Sequence, residues 1–109
     1  MPLADTDKID FIGIAPHGAC VLTLADDRDW AAPAEHLALL RAKLETYRHF
    51  IASGEITRAY PASAGRRIEI VAALRTAPPP DALAMLQEHI PHFEALGAAF
   101  SWRVFDQPS

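Results

Sequence analysis

The clearest pattern of apolar and polar positions lies between Pro33 and Gly54. At about 100° per residue, one narrow helical stripe carries Leu37, Leu40, Leu44, Tyr47 and Ile51. Leu39 and Phe50 lie further round the helix and widen the apolar arc to about 160°, which is more than packing on one surface usually needs. The pattern therefore predicts one long amphipathic helix, and the extra breadth indicates either a larger core or an interface with another protein.

Four shorter apolar runs predict β-strands. Residues 9–14 and 19–24 flank a turn that contains proline and glycine, and this arrangement is typical of a hairpin. Residues 66–75 alternate between apolar and polar side chains, as the residues of a half-buried strand do. Residues 99–105 form the last expected strand.

The remaining segments complete the expected order of elements. A second amphipathic helix is predicted from about residue 80 to Gly97. We expect residues 55–65 to form a loop, with at most a short extended piece at 56–60, and residues 1–7 to be loosely attached. The order is then ββαβαβ, which favours an α+β fold of two layers, a sheet of about four strands with both helices on one face. The pattern leaves the strand order open.

Length and composition limit the classes of protein to consider. The 109 residues fit a single domain over 1–109 with an ordered core of about residues 8–105 and flexible termini. No run approaches the ~20 apolar residues of a membrane span, and no secretory signal opens the sequence, so we expect a cytoplasmic protein. The formal net charge of −4 argues against binding to nucleic acid or to a membrane surface. Cys20 is the only cysteine, which excludes an internal disulfide.

Candidate chemistry concentrates in the acidic run just before the long helix. Asp26 and Asp29 lie close to Trp30, and His36 follows in the first turns of the helix. Carboxylates and an imidazole in this arrangement could bind a metal or share acid–base work. We expect instead that one aspartate caps the helix while the others are solvated. Because no calcium-loop spacing is present, we assign no metal and no cofactor.

The histidines offer two further arrangements. His89 and His92 have the i, i+3 spacing that can chelate a metal. His36 and His89 lie on the apolar flanks of the two predicted helices, where their rings could meet and titrate together. Histidines that are solvated, or whose ring nitrogens find hydrogen-bond partners nearby, produce the same patterns. The sequence contains no nucleophile elbow, phosphate-binding loop or paired-cysteine motif, so we assign no catalytic residue.

Large apolar side chains on the last strand support the interface hypothesis. Trp102 lies there together with two phenylalanines, and these large groups occupy both faces of the strand. Aromatic anchors and broad apolar surfaces are typical of protein interfaces. The expected interface residues are Leu39, Phe50 and Trp102, and the expected partner is a second copy of the chain or another protein.

Four motifs extend through most of the chain. They are IDFIGI near the start, VLTLADDRDW before the long helix, HLALLRAKLETYRHFIASGEI through it and YPASAGRRIEIV after it. Together they resemble a family of small bacterial proteins of unassigned function over roughly residues 7–105. The family has no activity, cofactor or ligand to transfer. The resemblance implies one candidate binding surface, made of Asp26, Asp29, Trp30, His36 and Tyr60.

These observations favour a non-catalytic binding or interaction module that acts as a homodimer. One alternative is an immunity- or antitoxin-like protein that neutralises a partner protein. Another alternative is a small metal- or ligand-dependent enzyme that uses the aspartates and histidines. The enzyme would need at least two of those side chains to converge in a pocket.

Overall fold

The computed structural model describes Leu3 and residues 5–105, and divides this part of the chain into four strands, three α-helices and one 3-10 turn. The strands are β1 (Phe11–Ile14), β2 (Cys20–Asp26), β3 (Ile68–Leu74) and β4 (Ala98–Val104). The helices are α1 (Pro33–Ala52), α2 (Glu55–Ala59) and α3 (Pro80–Glu94), and the 3-10 turn is Pro61–Ser63. The expected order of strands and long helices is confirmed, and α2 is an addition to it.

The four strands form one sheet in the order β1-β2-β3-β4. β1 and β2 pair antiparallel, as the predicted hairpin requires, whereas β2, β3 and β4 run parallel. Parallel neighbours need a crossover connection, and α1 and α3 form the two crossovers. The strand order that the sequence left open is therefore the order of the strands along the chain.

Both long helices pack on the same face of the sheet. Leu22 of β2 and Leu44 of α1 are fully buried in one apolar core, whereas Val21 points to the other face of β2 and is half-buried. Phe93 of α3 packs against Phe100 of β4, with ring centroids 5.1 Å apart. The predicted α+β fold of two layers is confirmed, and the core lies between the sheet and these two helices.

The monomer core takes up much of the broad apolar arc of α1. Pro33 suits the first helical position, and Gly54 follows the helix end in the left-handed conformation, with φ at 80°. Phe50, on the widened side of the arc, is only 8% exposed and belongs to the core. Leu39 is partly buried and packs against the same core. The residues that widen the apolar arc of α1 therefore pack within the core of the single chain.

The prediction of a loop with a short extended piece after α1 is wrong. Residues 55–59 form α2, which begins directly after Gly54 and ends in a hydrogen bond from the Tyr60 amide to the Ile56 carbonyl (2.8 Å). Ile56 is 3% exposed and anchors this helix in the core. A five-residue helix is too short to show helical periodicity in the sequence, and packing of the Ile56 side chain stabilises it instead.

The loose attachment expected for residues 1–7 stays a prediction, and the described part of that segment contacts the core and α1. Leu3 is 1% exposed and belongs to the core. Lys43 and Thr46 of α1 donate side-chain hydrogen bonds to the carbonyls of Asp5 and Thr6. These contacts hold the segment against α1. Residues 1, 2, 4 and 106–109 lie outside the described residues, and the expected flexibility of the termini stays a prediction there.

Candidate functional site

The candidate site lies at the edge of the sheet where the parallel strands end. β2 ends at Asp26, which is paired in register with Leu74 at the end of β3. The connection from β2 to α1 passes over this edge and carries Asp29 and Trp30. In open α/β sheets, ligands bind at the carboxyl ends of parallel strands. The position of these residues in the fold is therefore one that commonly forms a ligand site.

A buried Asp–His pair forms the base of the site. Asp26 Oδ2 and His36 Nε2 are 2.6 Å apart, and both side chains are at most 2% exposed. His36 Nδ1 lies 2.8 Å from the carbonyl oxygen of Asp29. Because a carbonyl oxygen can only accept, Nδ1 is the donor in this contact, and Nε2 lies at hydrogen-bonding distance from the carboxylate. Asp26 Oδ1 accepts from the amide of Arg28 (3.1 Å), so the pair is also tied to the connecting segment.

The Asp–His pair fixes the position of Trp30. The indole stacks on the His36 ring with centroids 3.6 Å apart and an interplanar angle of 12°. Asp29 contributes its backbone carbonyl to His36, while its carboxylate accepts from the amide of Ala31 (3.0 Å) and stays exposed. The expectation that one aspartate caps the long helix is wrong, since α1 has no side-chain cap. Asp26 instead binds the buried imidazole on which Trp30 rests.

Trp30 lines a pocket of about 570 Å³ between the first turns of α1 and α3. A volume of this size is within the range of small-molecule sites. Its other lining residues are mostly apolar, and three of the lining residues are prolines with restricted backbones. The pocket is lined by Trp30, Pro33, Ala34, Leu37, Pro79, Pro80, Asp81 and Ala82.

The Asp26–His36 pair lies beneath the pocket wall and does not open into the pocket. Asp26 and His36 are sealed from solvent, and their described polar partners are a backbone amide and a backbone carbonyl. A general base must reach the proton that it abstracts, and this pair does not line the pocket. In the described part of the chain, no three histidine, cysteine, aspartate or glutamate side chains come together in a way that could hold a metal ion. The pair therefore acts by positioning Trp30.

Four of the five predicted binding residues come together, and Tyr60 does not. Asp26, Asp29, Trp30 and His36 meet at the edge where β2 and β3 end. Tyr60 lies in the segment that precedes β3, at the opposite edge of the sheet. Because β2 and β3 are parallel, both strands begin at the edge near Tyr60 and end at the edge near Asp26. The binding role stays a prediction, and it now concerns only the four residues at the edge where β2 and β3 end.

The expected interface residues belong to the helical side of the molecule. Phe50 is part of the core, while Leu39 and Trp102 are partly buried against it. Trp102 lies beside Phe100, with ring centroids 5.8 Å apart. In the monomer these three residues contribute mainly to packing, and their role at an interface stays a prediction.

The two helical histidines have separate surroundings. His89 of α3 is buried, its Nδ1 lies 2.9 Å from the carbonyl of Met85, and its Nε2 lies 3.4 Å from Glu45. Its ring contacts His92 edge to face, at 5.7 Å between centroids. His36 has none of these partners. The proposed meeting of the His36 and His89 rings is thus not seen among the described contacts.

Sequence reasoning missed a second buried polar cluster beneath α1. Lys43 Nζ and Asp10 Oδ1 are 2.9 Å apart, and both side chains are fully buried. Tyr47 accepts from the Asp10 amide (2.9 Å) and lies within donating distance of the Thr23 carbonyl (3.0 Å). The signal was present in the sequence, because a lysine inside an apolar arc requires a buried partner. Burial raises the pKa of the Tyr47 hydroxyl well above its usual range, so this group stays protonated.

The described fold and site define a small α+β protein with an apolar pocket supported by a buried Asp–His pair. The chain belongs to DUF6572, a family of unknown function whose model matches residues 1–106. The resemblance to an uncharacterised family is thereby confirmed. Comparison with curated proteins and with solved structures gives no significant match. No helix in the described part of the chain combines the length and the hydrophobicity that crossing a bilayer requires.

Proposed function

We propose that this protein is a non-catalytic binding module that holds an apolar ligand in the pocket lined by Trp30. The observation that carries the proposal is the coincidence of two features at one edge of the sheet. One is an apolar pocket of about 570 Å³. The other is the buried Asp26–His36 pair, which holds the Trp30 ring at the wall of that pocket.

The pocket is pre-organised for binding. Stacking on His36 removes rotational freedom from Trp30 before any ligand arrives, so binding loses less side-chain entropy. Prolines at the start of both flanking helices restrict the backbone of the walls in the same way. A rigid apolar site of this kind favours a flat or compact apolar group that can contact the indole.

The chemistry of the walls sets the expected affinity. A ligand that buries about 250 Å² of apolar surface gains about 6 kcal/mol from the hydrophobic effect, before the cost of immobilisation is subtracted. The expected dissociation constant for a purely apolar probe is therefore in the high micromolar range or weaker. Asp81 is the charged residue among those that line the pocket, so contacts with the natural ligand depend mainly on shape and apolar surface.

A matched pair of variants tests this site. Ala34 is exposed and lines the pocket, whereas Ala38 is exposed one turn further along α1 and does not line it. Ala34→Phe should fill the pocket, and Ala38→Phe should leave it open with the same added bulk. Each protein is titrated with N-phenylnaphthylamine, an uncharged dye whose fluorescence rises in apolar surroundings.

The expected result is saturable binding to the natural protein and to Ala38→Phe, and binding at least about tenfold weaker to Ala34→Phe. Amide shift mapping with the same dye should place the perturbed residues in the first turns of α1 and α3. The proposal is overturned if no saturable binding occurs. It is also overturned if both variants bind alike, or if the perturbed amides lie elsewhere.

A further inference from the structure

The face of the sheet opposite α1 and α3 has no helix packed on it in the described part of the chain. Strand alternation places Phe11 of β1 on this face, and the same alternation continued past β4 places Phe105 there. They are 56% and 47% exposed, respectively. The residues between them are mostly small, so the face is flat. Its apolar members between the phenylalanines are Gly13, Val21, Ala25, Val71, Ala73 and Ala99.

We propose that this open face is the contact between two copies of the chain, which pack sheet against sheet as a two-fold dimer. The first argument is charge. Glu69 lies at one end of the face, and Arg103 lies at the other end on the neighbouring strand. The pairing of the strands aligns their residues in rows across the sheet, and Val71 lies in the row midway between those of Glu69 and Arg103. Within these three rows, opposite charges are thus placed symmetrically about the row that contains Val71.

Only one orientation of a second copy uses this symmetry. A two-fold axis that passes through the Val71 row and is perpendicular to the strands exchanges the two outer rows. Glu69 of one protomer then faces the row that contains Arg103 of its partner, and the reverse contact forms at the other end. A two-fold axis parallel to the strands would instead set the Glu69 rows against each other. Charge complementarity of this kind specifies both the partner and its orientation.

The present partners of Glu69 leave it able to form this contact. In the monomer its carboxylate oxygens lie 3.2 and 3.3 Å from the Nε2 atom of His17 and 3.7 Å from Arg67. The His17 and Arg67 side chains are 60% and 72% exposed, so both contacts lie at the surface. Surface ion pairs exchange readily. A stronger contact with Arg103 of a second copy can therefore replace or share them.

The second argument is area. Three strands of seven residues and one of four, spaced about 4.8 Å apart with about 3.3 Å per residue, give a face of roughly 400 Å². Two copies then bury roughly 800 Å², and the exposed Phe11 and Phe105 rings at the margins increase this value. Specific interfaces begin near 1,000 Å² in total, a value that the face approaches only with both pairs of rings included, so we expect a dimer of modest affinity. This surface is opposite to the one expected from the sequence, which consisted of Leu39, Phe50 and Trp102.

Charge reversal tests the orientation directly. Sedimentation velocity is measured on the full chain from roughly 10 μM to roughly 1 mM, a range suited to a modest affinity. Glu69→Arg alone and Arg103→Glu alone each place like charges opposite each other and should weaken the dimer at least about tenfold. The double variant restores opposite charges and should recover the natural affinity. Far-UV circular dichroism confirms that each variant is folded, and a folding defect would not be rescued by the double variant.

A control on the other layer separates the two surfaces. Leu39→Glu alters the helical side and should leave the dimer unchanged. The proposal is overturned if the natural protein is monomeric over the whole range, or if the double variant fails to recover the affinity lost in the single variants. It is equally overturned if Leu39→Glu dissociates the dimer while the charge reversals have no effect. Binding of the apolar dye is measured separately, so failure of the dimer and failure of the pocket are distinguishable.

Discussion

The ion pair between Lys43 and Asp10 lies so deep in the protein that breaking it should cost far more than breaking an ion pair at the surface. Both side chains are fully buried, and Lys43 Nζ is 2.9 Å from Asp10 Oδ1. Lys43→Met preserves the length and much of the volume of the side chain but removes its charge. The variant therefore leaves a buried carboxylate without its counter-ion.

The contacts that remain set the magnitude. After the substitution, Asp10 Oδ2 still accepts from the amide of Ala25 (3.0 Å) and from the hydroxyl of Tyr47 (3.2 Å). Two neutral donors do not replace an ammonium group, and removing one partner of a buried pair typically costs about 3–5 kcal/mol. A domain of this size has a total stability of about 5–15 kcal/mol, so the loss is a large share of it. With a urea m-value of about 2 kcal/mol/M, the midpoint of unfolding should fall by roughly 2 M.

Urea unfolding followed by circular dichroism measures this change, and a double-mutant cycle isolates the pair. Asp10→Asn should destabilise to a similar extent, because it leaves the ammonium with the Asp5 carbonyl as its remaining described partner. The double variant should cost at least about 2 kcal/mol less than the sum of the singles. Arg48→Met breaks an ion pair of 2.7 Å on the same helix, but at the surface, and should cost less than about 1 kcal/mol.

The reasoning is refuted if Lys43→Met costs no more than Arg48→Met. It is also refuted if the cycle gives no coupling between Lys43 and Asp10. In the first case water or another charge must compensate the carboxylate. In the second case the two groups do not depend on each other, and their burial as a pair cannot explain their contribution to stability.

Three further predictions concern other parts of the fold. Leu3→Ala should lower the free energy of unfolding by about 2–4 kcal/mol, measured in urea, because Leu3 is a core residue. Asp26→Asn should cost about 3 kcal/mol and alter the near-UV circular dichroism of the stacked indole, whereas unchanged spectra would contradict its positioning role. Partial burial raises the pKa of Glu45, but Arg48 and His89 lower it more through hydrogen bonds and charge, so its net pKa is depressed. Its stabilising contribution is therefore present above about pH 4.5 and lost as the pH falls further, and Glu45→Gln should flatten this acid limb of the stability profile.

The strands and long helices could be predicted because their signals are local. Residues 66–75 alternate in the sequence as β3 does in the fold, and Gly54 follows the end of α1 in both descriptions. Strand order could not be predicted, because it depends on where two crossovers place β3 and β4. For the same reason, the sequence could not show that Tyr60 lies at the edge of the sheet opposite the other predicted binding residues. α2 was missed because its stability comes from burial of Ile56, a tertiary contact.

The candidate site was predicted as a set of residues but not as an arrangement. Asp26, Trp30 and His36 were recognised by residue type and proximity, yet an acidic run gives no sign of which carboxylate is buried. That choice follows from strand alternation, which points Asp26 to the core side of β2 together with Leu24. The pocket could not be predicted at all, since half of its wall comes from α3, whose first turn is about fifty residues away in the chain.

The two buried polar pairs have one consequence in common, which links the stability of the protein to its proposed site. A buried stripe made only of leucines would specify the position of α1 less sharply, because uniformly leucine-packed cores define one arrangement poorly. The pairs of His36 with Asp26 and of Lys43 with Asp10 each allow one position, because any other leaves a buried charged or polar group without its partner. Two such points along one helix fix both its rotation and its axial position. The first turn of α1, and with it the wall of the pocket at Trp30, is therefore held in place by groups that do not line the pocket.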